Sequence, residues 1–373
     1  MARNKEVAHA LALACASGPA AGFGRPRHKL KHAPPKTLVC LLALGLAYAA
    51  TRPRYGGTLR VEMRAAIETP DPPVAGHGMP DLASAFNIAR WEAGRRAVYE
   101  ANENPPGGRP YLDSIDIQMG KTLRDQTIDL ELGRADIVEL GPSELLRQPA
   151  GRRVWSSSPV RVIALLFSAR IEDARIREAL ALAVDRPAIH SVLMQRQGEV
   201  SGGLLPQWIS GYAFVFPTAS DDGRARALLA GLPPAQRTLT LGVEDAAARQ
   251  VAERIALNSR YVGLTVSVIP QGAGADVRLV EARVGSSDPA RALAGLAAAF
   301  GLPEPPRADS VEALQVAERA LLQGFRVVPL IHLPDVYGVG PRVKGGPGIT
   351  PLGEWHFENL WVTESRSGED NRP

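Results

Sequence analysis

The chain has 373 residues, 45% of them hydrophobic, 22% charged and only 5% aromatic, with 36 Gly and 31 Pro. That is enough apolar material for two lobes or domains, and so turn-rich a composition disfavours a helical bundle. The net charge of +4 and pI near 9.2 would suit a nucleic-acid binder, but residues 1–50 carry Arg3, Lys5, Arg25, Arg27, Lys29, Lys31 and Lys36 against Glu6 alone. The rest of the chain is therefore slightly acidic, and no nucleic-acid partner is expected.

Residues 1–50 read as a signal peptide or leader. Arg25 to Lys36 form a positive stretch, Thr37 to Leu46 an apolar one, and Ala47-Tyr48-Ala49 an Ala-x-Ala cleavage site. The apolar run is short for a transmembrane helix; retention as an uncleaved anchor is the alternative. Export to the periplasm or another extracytoplasmic space follows. Cys15 and Cys40, the two cysteines, both lie in this leader, so the body has none for disulfides, thiolate metal sites or nucleophiles.

Beyond the leader, Thr58 to Met63 alternates like a strand, and residues 69–81 are a Pro/Gly-rich loop. Phe86 to Tyr99 reads as a strand pair broken near Glu92-Ala93-Gly94. Ser114 to Met119 is a strand, Thr122 to Leu132 a short helix, and Val160 to Phe167 a continuous apolar strand buried on both faces. Ala174 to Val184 is a helix with Ile176, Ala179, Leu180 and Ala183 on one stripe and Asp173 as cap; Asp185 and Pro187 suit the start of a second helix. Asp221-Asp222 reads as a helix cap or solvated loop. Leu239 to Ile269 reads as a βαβ unit whose helix Gly263 closes, implying a parallel strand pair. Asp276 to Ala282 is a further strand. Asp309 and Glu312 frame a helix start as a capping box, with Val311, Leu314, Ala317 and Leu321 on the buried face. Val327 to Leu333 is a last core strand, and residues 363–373 are expected to be a disordered tail.

Enzyme signatures are missing. There is no Gly-x-Ser-x-Gly elbow and no phosphate-binding Gly-x-x-x-x-Gly-Lys-Ser/Thr loop. His77, His190, His332 and His356 are too scattered to read as a metal set. No cofactor, metal or catalytic residue is expected.

The run from Phe167 through Ser168, Asp173-Ala174-Arg175-Ile176-Arg177-Glu178-Ala179-Leu180 and Val184-Asp185-Arg186 resembles the signature of bacterial extracellular solute-binding proteins of family 5, the peptide and nickel receptors of ABC importers. Ser168 stands where the family usually has Asn. Other segments agree in order: Gly56 to Val61, Trp91 to Gly94, Gly108 to Asp113, Leu132 to Ile137, Ala225 to Leu229, the βαβ unit, and Val343-Lys344-Gly345. Two departures stand out. Only a short loop separates Asp71-Pro72-Pro73 from Phe86, where the family has most of a small extra domain. The peptide receptors' "Trp-x-Ala-Asp-Tyr-x-Asp-Pro" aligns on Asp288-Pro289, leaving Ala282 at the Trp, Gly285 at the ammonium-binding Asp and Ser286 at the Tyr.

The resemblance implies a two-lobed α/β fold like that of class II periplasmic binding proteins, with the small extra domain reduced or absent. Lobe one would be 55–165 plus 329–362 and lobe two 166–328, with crossings near Phe167 and Val328. It implies a monomer that binds a small peptide or other small solute in the interlobe cleft for delivery to ABC permease subunits. Candidate ligand contacts by position are Glu62, Arg283, Ser286, Ser287 and His332, with Trp208 and Tyr212 as aromatic walls. A degenerate sensor or interaction module without a transport role is the alternative.

Overall fold

The computed structural model describes residues 52–69, 85–105, 107–244, 246–270 and 274–363. The leader, most of the 69–81 loop and the tail beyond Thr363 lie outside the described residues. The first strands follow the alternation in the sequence: β1 (Thr58–Glu62), β2 (Phe86–Glu92), β3 (Arg96–Ala101) and β4 (Ser114–Gln118). Helix α1 (Leu123–Glu131) is capped by Thr122, whose side chain accepts from the Asp125 N–H. β5 (Ile137–Glu139) follows, and then β6 (Arg153–Phe167), which is longer than the apolar run alone implied.

Helix α2 (Ala174–Ala183) is capped by Asp173, and α3 (Asp222–Leu229) by Asp221, whose carboxylate accepts from the Arg224 N–H. The second helix expected at Asp185 is only a turn, Arg186–Ala188, that widens into a π-turn over Ile189–Leu193. It ends at Gln195 and Arg196, both with positive φ. The short β7 (Glu199–Val200) comes next. The βαβ unit is β8 (Thr238–Val243), α4 (Ala246–Tyr261) and β9 (Thr265–Pro270), its strands parallel and its helix closed at Gly263 with φ +89°.

β10 (Val277–Arg283), α5 (Pro289–Ala299), α6 (Val311–Leu322) and β11 (Val327–Val339) complete the main sheet, and β12 (Val343–Lys344) pairs with β13 (Trp361–Val362). The cap of α6 is Ser310, not the expected Asp309–Glu312 box: the Ser310 hydroxyl accepts from the Ala313 N–H. With the helix starting there, Val311 turns outward, 49% exposed, and Glu318 and Leu322 join Leu314 and Ala317 inside.

The main sheet runs β2-β3-β4-β1-β5-β11-β6-β10-β8-β9, with β7 on part of β11. β1 is parallel to β4 and β5, and β8 to β9 and β10. β11 and β6 are antiparallel partners over most of their length and join the two halves. In β6, Ile163, Leu165 and Phe167 pack into a core shared with α2 and α4, while Val162 and Ala164 pack with residues of α5 and α6. A separate core around Leu59, Val61, Ile115, Ile117, Trp155, Trp355 and Phe357 fills the first half. The fold is a mixed α/β one built on a single large sheet. Among the described residues no helix is long and apolar enough to cross a membrane.

Candidate functional site

The β6–β11 ladder is irregular where its outer partners change. β11 pairs with β7 at Ile331 and His332 and with β5 from Tyr337 to Val339. Between these stretches Pro334 faces Pro159, and the register shifts on either side of Pro334. Proline cannot donate to a ladder, so two of them opposite each other weaken the pairing there.

The carboxyl ends of the parallel strands on both sides point at this crossing. β5 runs antiparallel to β11, so β1 and β5 end at Glu62 and Glu139 on the crossing side. β10 runs antiparallel to β6 and ends at Arg283 opposite Arg161, with β8 parallel to it. In open α/β sheets ligands bind outside strand carboxyl ends at a change of topology.

A charge cluster occupies the crossing. Arg161 and Arg283 are cross-strand neighbours, and like charges so placed repel. Asp335 sits between them: Oδ1 is 3.0 Å from Nε of Arg161 and Oδ2 accepts from Nη1 of Arg283. Arg161 also donates to Glu281 at 3.1 Å and to the Pro334 carbonyl at 3.0 Å, and Arg283 to the Leu352 carbonyl at 2.6 Å. Burial alone would lower the Arg161 guanidinium; the charges of Glu281 and Asp335 outweigh it and hold it above the ordinary arginine value. The main-chain N–H of Asp335 donates to Ser157 Oγ at 2.8 Å. Gly353, with φ +77°, closes the cluster; a Cβ there would fall on the Arg283 guanidinium and the Asp335 carboxylate. Burial raises Glu139 above the usual carboxylate range, with Arg64 opposing.

Of the residues expected from sequence, Arg283 and Trp208 reach the crossing. The Trp208 indole N–H donates to the Pro159 carbonyl at 2.7 Å, and its side chain remains partly exposed. Arg283 is already committed to Asp335 and Leu352 and presents no free guanidinium. Glu62 lies 3% exposed near α1, 3.4 Å from Lys121, which also binds Asp129 at 3.0 Å. Burial lifts Glu62 to about 7, with Lys121 opposing. Ser286 and Ser287 precede α5, and the Ser286 hydroxyl accepts from the Asp288 N–H at 3.1 Å.

His332 and Tyr212 fall in a different, buried cluster. His332 Nδ1 is 3.2 Å from Glu199 Oε1, and Nε2 lies 3.0 Å from the Leu204 carbonyl and 3.3 Å from Ser201 Oγ. The order Ser–His–Glu is that of a hydrolytic triad, but the chemistry is not. A carbonyl only accepts, so Nε2 donates to Leu204 and cannot take a proton from Ser201, whose hydroxyl donates to Gly203. Ser201 is 2% and His332 3% exposed. The Tyr212 hydroxyl donates to Glu318, which also accepts from the Leu204 and Leu205 N–H groups. Burial raises Glu318, those hydrogen bonds opposing it. These contacts fasten the 201–205 segment to β11 and α6. Gly198 completes the clamp: a Cβ there would strike the His332 carbonyl.

Sequence reasoning missed Arg161, Asp335 and Glu139. Among the described residues no group of three or more His, Asp or Glu side chains is placed to hold a metal ion.

No curated protein sequence matches the chain. Solved structures with the same fold include the ABC transporter substrate-binding protein CtaP of Listeria monocytogenes (15% identity, TM-score 0.62, 75% of this chain and 66% of that one). The murein tripeptide-binding protein MppA of Escherichia coli is similar (17%, TM-score 0.63, 75% and 64%). So is NikA of Staphylococcus aureus in complex with Ni(L-His)2 (13%, TM-score 0.60, 75% and 68%). The chain thus spans roughly two thirds of the length of such proteins, or slightly less, and shares their two-lobed binding-protein fold. Residues 30–301 match the sequence profile described as bacterial extracellular solute-binding proteins, family 5 Middle, so the chain belongs to that family.

Proposed function

We propose that this protein is the exported substrate-binding component of an ABC importer, not an enzyme, and that it takes a small peptide or related solute between two lobes at the β6–β11 crossing. The observation that carries this reading is the convergence of strand carboxyl ends from both halves of the sheet on a proline-broken, register-shifted crossing. Such a junction bends more easily than a regular ladder, and lobes of this kind close over a ligand by hinge motion. Under this reading the lobes divide at Pro159, which precedes Phe167 on β6, and at Pro334, which follows Val328 on β11, and the closed form presents a surface to permease subunits.

The charge balance narrows the solute. Asp335 and Glu281 together balance Arg161 and Arg283, and Gly285 leaves no carboxylate for a peptide amine, so a solute without net charge fits better than a peptide whose amine is held by an ion pair. Bound solute at a hundredfold its Kd stabilises the fold by about 2.7 kcal/mol. A thermal-shift screen of di- and tripeptides and amino-acid-derived solutes should find one that raises Tm, with a fall in radius of gyration on binding. A screen without a shift at millimolar solute would remove the transport reading. It would favour the alternative, a sensor or interaction module, to which the neutralised Arg283 and the reduced length already lend some support.

A further inference from the structure

At the end of the β6–β10 pair away from the crossing, a groove of about 690 Å³ opens between the end of β6 and the segment that follows α5. Leu166 and its cross-strand partner Arg278 lie along one side, and Phe300, Leu302 and Pro303 along the other. Two guanidiniums reach it. Arg278 is exposed, and its side chain makes no hydrogen bond or ion pair among the described residues. Arg326 donates to the Ser168 carbonyl at 2.8 Å, a contact that leaves its charge uncompensated.

The nearby charges add to this excess. Burial first, and then Arg326, push the Arg177 guanidinium below the ordinary arginine value. Asp276 is engaged by Thr240 and lies 3.7 Å from Arg170, and Asp173 is held by Arg175. The residue before Arg326, Phe325, adopts φ +54°, a left-handed conformation that disfavours a bulky residue. Its ring rests against Phe216 at 5.7 Å.

We infer that this groove is a second binding site, separate from the crossing, for an amphipathic carboxylate, with the anionic head on Arg278 and Arg326 and the apolar body along Phe300, Leu302 and Pro303. Planar guanidiniums pair with carboxylates in charge-assisted hydrogen bonds, and the walls bury an aliphatic or aromatic body. A free aliphatic acid and an apolar polypeptide C terminus share this chemistry.

Calorimetry on the full chain tests the site with octanoate against octanamide, and with Ala-Leu-Phe against its C-terminal amide. Saturable binding of at least one acid is expected, with the neutral counterpart at least about tenfold weaker. Binding of octanoate alone identifies a free acid as the source, and of the peptide acid alone a polypeptide terminus. R278Q should weaken the acid about tenfold at unchanged Tm, and R278K should restore part of it. No binding of either acid, or binding that R278Q and R326Q both leave intact, overturns the proposal. The second outcome would put the ligand at the crossing and leave the transport reading untouched.

Discussion

At Asp335 two guanidiniums meet one carboxylate with little water around them; the three side chains are 10 to 21% exposed. Removing one partner of a buried charge group costs about 3 kcal/mol because the others stay unpaired. D335N should therefore lower stability by about that much in urea unfolding, whereas exposed R90Q should change it by under about 0.5 kcal/mol. Glu62 makes a different statement. Its carboxyl holds a proton to about pH 7 in the folded chain against an ordinary 4.5. The folded state therefore binds the proton more tightly, and stability declines as pH rises through that window. The decline amounts to about 2 kcal/mol after allowance for partial solvation. E62Q should flatten it, which urea midpoints at pH 5 and 7.5 will read; an unchanged slope would assign the pH dependence to another group. Neither role was legible in the sequence. Glu62 was visible as the end of a strand, but its ion pair with Lys121 depends on where β4 and α1 meet. Arg161 and Asp335 were there to be noticed, as charges in or beside two otherwise apolar runs, yet only strand pairing brings the runs together.

Among the elements, amphipathic helices and alternating strands were the readable ones, because their period is local. The βαβ unit emerged complete, and β6 was correctly expected to be buried on both faces. The ends were harder. Ser310 and Asp309 are both competent caps, and the choice rests on one residue of backbone rotation that no periodicity records. S310A should cost about 1 kcal/mol, while D309A, whose side chain is 87% exposed, should be nearly silent; the reverse result would restore the capping box. The turn at Gly353 is similarly specific. G353A forces a Cβ both into a left-handed backbone and onto the Arg283–Asp335 pair, and a loss of about 2 kcal/mol is expected on unfolding.

For the molecule as a whole, the fold and family were legible from the signature run and the other motifs in order, since each marks an element that the shared sheet needs. The ligand was not, because the charges at the crossing, Arg161 and Arg283 with Asp335 and Glu281, and those by α1, Lys121 with Glu62 and Asp129, are engaged with one another, and sequence carries no record of which charges are spent. Solute binding, if it follows the crossing, should depend on both halves: a charge reversal at Glu139 and one at Glu281 should each weaken it, measured by calorimetry at constant pH, whereas H332N should act on Tm more than on affinity.

The position of β11 also sets a timetable for folding. This strand lies near the end of the chain, at Val327–Val339, yet it sits between β5 and β6 and is the link that joins the halves of the sheet. Its partners β5 and β6 precede it by more than 150 residues, so closing that ladder is a late, long-range event. At ribosomal rates of roughly 10 residues per second, the central register stays open for about a quarter of a minute after β6 is made. A chain destined for export, as proposed above, would profit from that delay, since it stays extended while being translocated. Nascent chains stopped before Val327 should stay open to protease across 153–167, and chains released past Val339 should become resistant in one step.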